Sequence, residues 1–119
     1  MQNLSNIMEQ VQEVMKKENI CRLNDSLRKE GKGGQIICTT SVINSPNRNI
    51  IIEKIRDFNN FNDSNDPHGE HDFGKVTVDG TDYFFKFDYY DKIHNCLSPD
   101  PSDATKTRRV MTIMEASEY

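Results

Sequence analysis

One stretch of the chain decides its fold: FGKVTVDGTDYFFKFDYY, residues 73–90. At its centre lies Asp79-Gly80, and an Asp-Gly pair between alternating hydrophobic residues is a strong signal for a two-residue turn, because both turn positions need a positive φ angle. The second arm places an aromatic residue at every second position, namely Tyr83, Phe85, Phe87 and Tyr89. These side chains share one face of a strand. The stretch therefore predicts a β-hairpin whose aromatic face packs against helices.

The N-terminal third of the chain shows helical periodicity. Hydrophobic residues recur every three or four positions: Leu4, Ile7, Met8, Val11, Val14 and Met15, then Ile20, Leu23 and Leu27. This spacing predicts an amphipathic helix, or a helix pair with a break near Asn19, that ends at the glycines of residues 31–34. A core-facing stripe is the favoured interpretation, and a partner-binding stripe is the alternative.

The remaining segments complete an α+β pattern. Residues 35–42 predict a strand, with Ile36, Cys38, Thr40 and Val42 on one face. Ser45-Pro46 predicts the start of a second helix, with Ser45 as N-cap, whose buried stripe is Ile51, Ile52, Ile55 and Phe58. Residues 108–116 predict the last strand. The order α-β-α-β-β-β predicts an α+β fold with a mainly antiparallel sheet of about four strands, in one domain over residues 1–119.

Composition limits the function classes. With 119 residues and 34% hydrophobic content, the chain is long enough for one core without a structural cofactor. Its three cysteines show no paired metal-binding spacing, which favours free thiols in a reducing compartment. No apolar run reaches the roughly 18 residues that a membrane span needs. We expect a cytoplasmic protein with no membrane contact and no cofactor.

The net charge of −4 is unevenly distributed. Residues 1–56 carry nine Lys and Arg against six Asp and Glu, whereas residues 57–103 carry three against eleven. Such an acidic region disfavours direct nucleic-acid binding, which depends on neutralising phosphates. The basic run at residues 105–109 is too short to change this expectation. An acidic surface instead attracts a protein with a basic surface.

Two histidines lie beside carboxylates in DPHGEHDFG, residues 66–74. His68, His71 and Asp72 are the candidate metal ligands, since they offer three donors from one turn. Their spacing matches no zinc or calcium template, so no metal is favoured. A structural role is the preferred interpretation, in which Asp66 and Asp72 cap turns and His71 donates to a backbone carbonyl.

Two further acidic motifs follow. Asp88 and Asp91 flank a Tyr-Tyr pair, and two carboxylates in one cleft can divide acid and base roles. Surface ion pairs with Lys86, Arg108 or Arg109 are the more common arrangement. In SPDPSD, residues 98–103, two prolines predict a stiff acidic turn.

Several strings resemble a small proteobacterial family that is classified only as a domain of unknown function. They are NDxLR at 24–28, NDPxGEHDFG at 65–74, FDYYD at 87–91, SPDPxD at 98–103 and RVxTIMxASEY at 109–119. The resemblance covers about residues 22–119 and leaves residues 1–21 as a helical extension. It implies an accessory protein of plasmids and other mobile elements, a setting rich in inhibitors of host defence that act by binding.

These observations favour a non-enzymatic protein that binds a larger protein with a basic surface. The partner is expected to be a nucleic-acid-handling defence complex, as for anti-restriction or anti-CRISPR inhibitors, because spaced carboxylates can imitate phosphates. The alternative is a metal-assisted hydrolase that uses His68, His71 and Asp72 with Asp88 or Asp91. The predicted partner-binding residues are Asp63, Asp66, Glu70, Asp72, Asp88, Asp91, Asp100 and Asp103.

Overall fold

The computed structural model describes residues 3–93 and 96–119. Helices dominate the first half: α1 is Leu4–Glu30, α2 is Thr40–Ile43 and α3 is Arg48–Asp57. The strands are β1, Gln35–Cys38; β2, Phe73–Val78; β3, Thr81–Tyr90; and β4, Arg108–Glu115. A short 3₁₀ turn, Ala116–Glu118, follows β4.

The four strands form one mixed sheet in the order β1-β4-β3-β2. The β2–β3 and β3–β4 pairs are antiparallel, and β1 runs parallel to β4. Both Asp79 and Gly80 have positive φ angles, 51° and 79°, as the predicted turn requires. The α+β fold and its hairpin are therefore confirmed.

The helices cover one face of the sheet. Tyr83, Phe85 and Phe87 are buried on that face, together with Met111 and Ile113 of β4. They pack with Leu27 of α1, Val42 of α2, and Ile51 and Ile55 of α3. The prediction that the aromatic face forms the core is confirmed, and the opposite face of the sheet is left without a helical layer.

Two local boundaries differ from the prediction. The strand predicted at residues 35–42 ends at Cys38, because pairing with β4 stops at Ile113 and the Thr39 carbonyl then accepts bonds from the N–H groups of Val42 and Ile43. Helix α3 begins at Arg48 with Asn47 as its N-cap, not at Ser45-Pro46. Ser45 instead closes a preceding turn, where its hydroxyl accepts a bond from the Asn47 N–H.

The core-facing interpretation of the N-terminal stripe is wrong for its first half. Helix α1 is continuous through Asn19, but it contacts the sheet layer only from about Ile20 onward. The side chains before that point are exposed: Leu4, Ile7, Met8, Val11, Val14 and Met15. A 27-residue helix spans about 40 Å, which is longer than the sheet it packs on. No helix in the described part of the chain is long and apolar enough to cross a membrane.

Candidate functional site

Helix α1 carries polar side chains into the core. Asn24 and Arg28 are fully buried on the same helical face as Ile20 and Leu27. Burying a polar amide or a guanidinium is costly unless its hydrogen bonds are made inside the protein. Both side chains are therefore expected to have specific partners, and the structure provides them.

Asn24 joins three parts of the molecule. Its Oδ1 accepts a bond of 2.8 Å from Nε of Arg109 in β4. Its Nδ2 donates to the Tyr89 hydroxyl at 2.8 Å and to the Glu70 carbonyl at 3.1 Å. Burial raises the pKa of the Tyr89 phenol, so the hydroxyl stays neutral. Arg109 also donates to the carbonyl of Pro101, which ties the predicted stiff turn to the sheet.

Arg28 closes the C-terminal end of α3. Its Nη1 donates to the carbonyls of Ile55, Arg56 and Phe58 at 2.8–3.1 Å. Its Nη2 bonds Oδ1 of Asp25 at 3.0 Å. A cation at this position satisfies helix carbonyls that have no partner within the helix. Arg28 therefore holds α3 and α1 together.

His71 lies between two carboxylates. Its Nδ1 lies 2.9 Å from Oδ1 of Asp25, and its Nε2 lies 3.7 Å from Oδ2 of Asp66. The imidazole stacks on the Phe61 ring, with centroids 3.8 Å apart and planes within 4°. The backbone of His71 has a φ angle of 54°, an uncommon conformation for a residue with a Cβ. The ring is thus held by the Asp25 carboxylate at Nδ1 and by Phe61 on one face, and its Nε2 lies near Asp66.

Asp66 has the structural role that the sequence predicted. Its Oδ1 accepts the backbone N–H groups of Glu70 and His71 at 2.9 and 3.1 Å, and the residue is 8% exposed. The partner of His71, by contrast, is the Asp25 carboxylate and not a backbone carbonyl. Glu70 is half-buried, and burial is the main cause that raises its pKa.

The three metal ligands of the hydrolase hypothesis, His68, His71 and Asp72, do not form one metal-binding group, although Asp72 and Asp88 line the same cleft. His68 is exposed, and Asp72 lines a cleft that does not include His71. Among the described residues, the group able to hold a metal ion is Cys21, Asp25 and His71, without His68 or Asp72.

The acidic cleft lies on the open face of the sheet. It has a volume of about 760 Å³. Its lining combines charged side chains with aromatic and small polar ones: Thr39, Asn65, Pro67, Asp72, Phe73, Lys86, Phe87, Asp88, Met114, Glu118 and Tyr119. A concave site with a few convergent polar groups is the usual form of a binding site.

Two titratable groups of the acidic cleft, Asp72 and Lys86, have shifted pKa values. Burial raises the pKa of the Asp72 carboxyl, with the nearby Asp66 adding to the shift. The hydrogen bond from Nζ to Asp88, 2.7 Å long, raises the pKa of Lys86. This pair confirms the expected surface ion pair for Asp88. Perturbed groups that gather in one cleft are typical of functional sites.

Phe73, Glu118 and Tyr119 form part of the wall of the acidic cleft, and Phe84 packs behind the two rings. The rings of Phe73, Phe84 and Tyr119 are in mutual edge or tilted contact, with centroids 4.9–6.0 Å apart. The Glu118 carboxylate accepts bonds from the Thr39 hydroxyl and from the Glu115 N–H at 2.9 and 2.8 Å. Glu118 therefore fixes the C-terminal turn against the end of β1.

The other predicted partner-binding residues lie in loops. Asp63 is exposed. Asp91 accepts the N–H of Ile93, Asp100 accepts that of Ser102, and Asp103 accepts that of Thr105. Hydrogen bonds from Ser102 and Thr105 lower the pKa of Asp100 and of Asp103. Asp91, Asp100 and Asp103 therefore stabilise turns, and the lowered pKa values favour the charged form of Asp100 and Asp103.

Sequence reasoning did not identify Glu118 and Tyr119 in the cleft or Asn24, Asp25 and Arg28 in α1 as site residues, and it named Lys86 only as an ion-pair partner of Asp88. A signal for two of the helical residues was present, because Asn24 and Arg28 follow Ile20 at positions i+4 and i+8, which belong to the buried stripe. Polar residues at core positions indicate a specific network. No comparable local pattern marks Glu118 or Tyr119.

The fold and site define an α+β protein with a mixed four-stranded sheet and an acidic cleft on its open face. The chain belongs to the DUF3768 family of proteins of unknown function, whose model matches residues 38–118. The predicted resemblance to a family of unknown function is thus confirmed over that range, which includes β2, β3 and β4 but only the last residue of β1. No curated protein and no solved structure matches the chain.

Proposed function

We propose that the protein is a non-enzymatic binding protein whose acidic cleft receives a basic side chain of a partner protein. One observation carries the proposal: the carboxylates of Asp72, Asp88 and Glu118 line a cleft that contains one cation, Lys86. With all four groups ionised, the lining has a surplus of negative charge. A cleft with walls of low dielectric concentrates that field and attracts cations.

Asp72 gives the attraction a thermodynamic basis. Its carboxylate is partly removed from water, which disfavours the charged form and raises its pKa. A cation bound beside it would replace the lost hydration and favour the charged form. Binding of a basic side chain and ionisation of Asp72 are therefore expected to support each other.

The wall of the cleft favours arginine over lysine. A guanidinium is planar, stacks on aromatic faces and bonds carboxylates with two parallel N–H groups. Phe73 and Tyr119 supply exposed or half-exposed rings beside Glu118. A lysine ammonium can use the charge but not the planar geometry.

The carboxylates outside the cleft have a different role in this proposal. Asp63, Asp91, Asp100 and Asp103 add to the negative field of the surface, which steers a basic partner and raises the rate of association. Asp66 and Glu70 act indirectly, because Asp66 is buried and Glu70 is half-buried.

The biological context remains a proposal that rests on the resemblance and on the acidic surface. We propose a cytoplasmic accessory protein of a mobile genetic element that inhibits a host nucleic-acid-handling defence complex. The binding groove of such a complex is rich in arginine and lysine, because those residues neutralise phosphates. Carboxylates in the cleft can pair with the same side chains.

A titration with two labelled peptides, hexa-arginine and hexa-lysine, tests the cleft. We expect the arginine peptide to bind more tightly, and Asp88→Asn or Glu118→Gln to weaken its binding about tenfold, which corresponds to about 1.4 kcal/mol. Asp79→Asn is the matched control, since it also removes one carboxylate but lies in the hairpin turn, where asparagine is well tolerated. If Asp79→Asn weakens binding as much as Asp88→Asn, the attraction comes from net charge alone and the cleft proposal fails.

The context is tested by affinity capture from the native host with mass spectrometry, using wild type and the Asp88→Asn variant side by side. We expect a nucleic-acid-binding complex to be captured by wild type and lost with the variant. Capture of the same proteins by both would contradict binding through the cleft.

A further inference from the structure

Three different metal-binding side chains meet between α1 and the loop that precedes β2. Cys21 and Asp25 are four residues apart, which places them on one face of the helix, and His71 reaches them from the loop. One ligand atom from each residue lies within 4.8 Å of the other two. We propose that Cys21, Asp25 and His71 bind a divalent transition-metal ion of the zinc class.

The distances fit the coordination that such an ion requires. Cys21 Sγ lies 3.8 Å from Oδ2 of Asp25, and His71 Nδ1 lies 3.1 Å from the same oxygen. A tetrahedral zinc ion with its usual bond lengths holds its ligand atoms roughly 3.3–3.6 Å apart. Only small side-chain movements are needed to place an ion between them. Thiolate, imidazole and carboxylate are the three ligand types that zinc prefers.

The surroundings orient these ligands. Metal-binding histidines usually donate their second ring N–H to a carboxylate, and Nε2 of His71 faces the buried Oδ2 of Asp66 at 3.7 Å. Arg28 holds Oδ1 of Asp25 at 3.0 Å, which leaves Oδ2 to face Cys21. Stacking on Phe61 fixes the plane of the imidazole. His71 and Asp25 thus each have a neighbour that sets the direction of the side chain.

The charges of the cluster also fit a divalent ion. Asp25 and Asp66 carry two negative charges against one positive charge on Arg28, and a Cys21 thiolate would add a third negative charge. A divalent cation brings this set to neutrality. Burial and the two carboxylates raise the pKa of the Cys21 thiol to about 11, so the thiol keeps its proton until a metal ion displaces it.

The cluster is accessible from solvent. Cys21 and Asp25 line a groove along α1 together with Glu18, Arg22 and Ser26. An ion can therefore enter and keep a water molecule as a fourth ligand. Bound there, it would join α1, which lies outside the matched family range, to the family segment at His71.

Titration of the reduced, chelator-treated protein with cobalt(II) tests this site. We expect one ion per chain, a thiolate-to-cobalt absorption band in the near ultraviolet and visible bands of four-coordinate intensity. Cys21→Ser should abolish the near-ultraviolet band and weaken binding at least tenfold, while the matched variants Cys38→Ser and Cys96→Ser should keep both. An absence of saturable binding, or a spectrum unchanged by Cys21→Ser, would overturn the proposal.

A second measurement on the wild-type chain does not depend on the folding of any variant. Zinc should slow the alkylation of Cys21 by iodoacetamide relative to that of exposed Cys96, as followed by peptide mass spectrometry, and should raise the thermal midpoint. Equal rates for Cys21 with and without saturating zinc would also overturn the site.

Discussion

Asn24 and Arg109 are 85 residues apart in the chain, and they share a buried hydrogen bond of 2.8 Å between Oδ1 and Nε. Arg109 belongs to the central strand β4, where its guanidinium also lies 5.2 Å from the centroid of the Tyr89 ring. Burial lowers the pKa of Arg109, which reflects the cost of holding this cation away from water. The bond therefore positions α1 on the sheet, because the buried Arg109 guanidinium is costly without a hydrogen-bond partner.

Replacement of Asn24 by alanine should destabilise the fold. The change removes the acceptor of Arg109 and the donor to Tyr89, and each buried polar group left without a partner costs about 1–3 kcal/mol. We expect the free energy of unfolding to fall by about 2–4 kcal/mol in urea denaturation. Asn49→Ala, at an exposed position in α3, is the control and should change it by less than about 0.5 kcal/mol. Equal effects of the two substitutions would mean that the buried network contributes nothing specific.

Helix α1 offers a matched pair of leucines for a test of its two halves. Leu27 is 0% exposed and Leu4 is 71% exposed. Leu27→Ala should cost about 2–5 kcal/mol, because it removes a buried side chain and leaves a cavity. Leu4→Ala should change the free energy of unfolding by less than about 0.5 kcal/mol. A large loss for Leu4→Ala, measured at several protein concentrations, would show that the exposed half of the helix is covered in solution.

The sequence predicted the elements whose signals are local. The Asp79-Gly80 turn and the aromatic alternation of β3 specify the hairpin, since both depend on neighbouring residues. Periodicity also located α1, but it could not show which part of the stripe is covered. That depends on the length of the helix relative to the sheet, which is a property of the assembled fold. The early end of β1 at Cys38 is likewise set by its pairing with β4.

The candidate sites were less predictable for the same reason. The acidic segment was recognised, yet only Asp72 and Asp88 of its carboxylates line the cleft. The remaining charged lining comes from Lys86 and Glu118. Asp25 and His71 are 46 residues apart, and no local motif links them. Clusters assembled from distant segments become visible only when the topology is known.

The two faces of β3 can be compared through adjacent phenylalanines. Phe85 is fully buried between sheet and helices, whereas Phe84 is half-buried on the open face. Phe85→Ala should cost about 3–5 kcal/mol in the free energy of unfolding, and Phe84→Ala less. A Phe85→Ala protein whose free energy of unfolding equals that of the wild type would contradict the core role of this face.

Gly74 tests the same packing by the addition of a side-chain atom instead of its removal. It pairs with Phe85 across the hairpin, and a Cβ at this position would overlap the Phe85 ring and approach the Phe58 ring at 2.8 Å. Gly74→Ala should therefore cost about 1–3 kcal/mol, as for other substitutions that overpack a core. Gly69→Ala has open space around its Cβ but a φ angle of 68°, so its cost should come from the backbone alone, about 1–2 kcal/mol. Relief of the Gly74→Ala defect by Phe85→Leu, measured as a double-mutant cycle, would identify the ring as the cause.

Asp72 should oppose stability while it supports binding. Its pKa is raised by burial above the ordinary aspartate value of 3.8, so the folded state binds this proton more tightly than the unfolded chain does. As the pH rises from below 3.8 through the raised pKa, the unfolded state gains from ionisation first, and the free energy of unfolding falls. The loss in free energy of unfolding caused by Asp72 is absent below pH 3.8 and complete above the raised pKa. Asp72→Asn removes the titrating group and should therefore raise the urea midpoint at pH 7, with little effect below pH 3.8.

The same substitution should weaken binding of the hexa-arginine peptide at pH 7, because the ionised carboxylate is the form that pairs with a guanidinium. In the wild-type protein, affinity should fall as the pH is lowered through the raised pKa of Asp72, and the variant should lose this part of the pH dependence. Asp63→Asn, which removes an exposed carboxylate outside the cleft, is the control and should leave the urea midpoint at pH 7 nearly unchanged. If Asp72→Asn raises stability but leaves peptide affinity unchanged, Asp72 takes no part in peptide binding. Its raised pKa is then a result of burial alone. A loss of both would instead show that Asp72 stabilises the loop before β2, as Asp66 does.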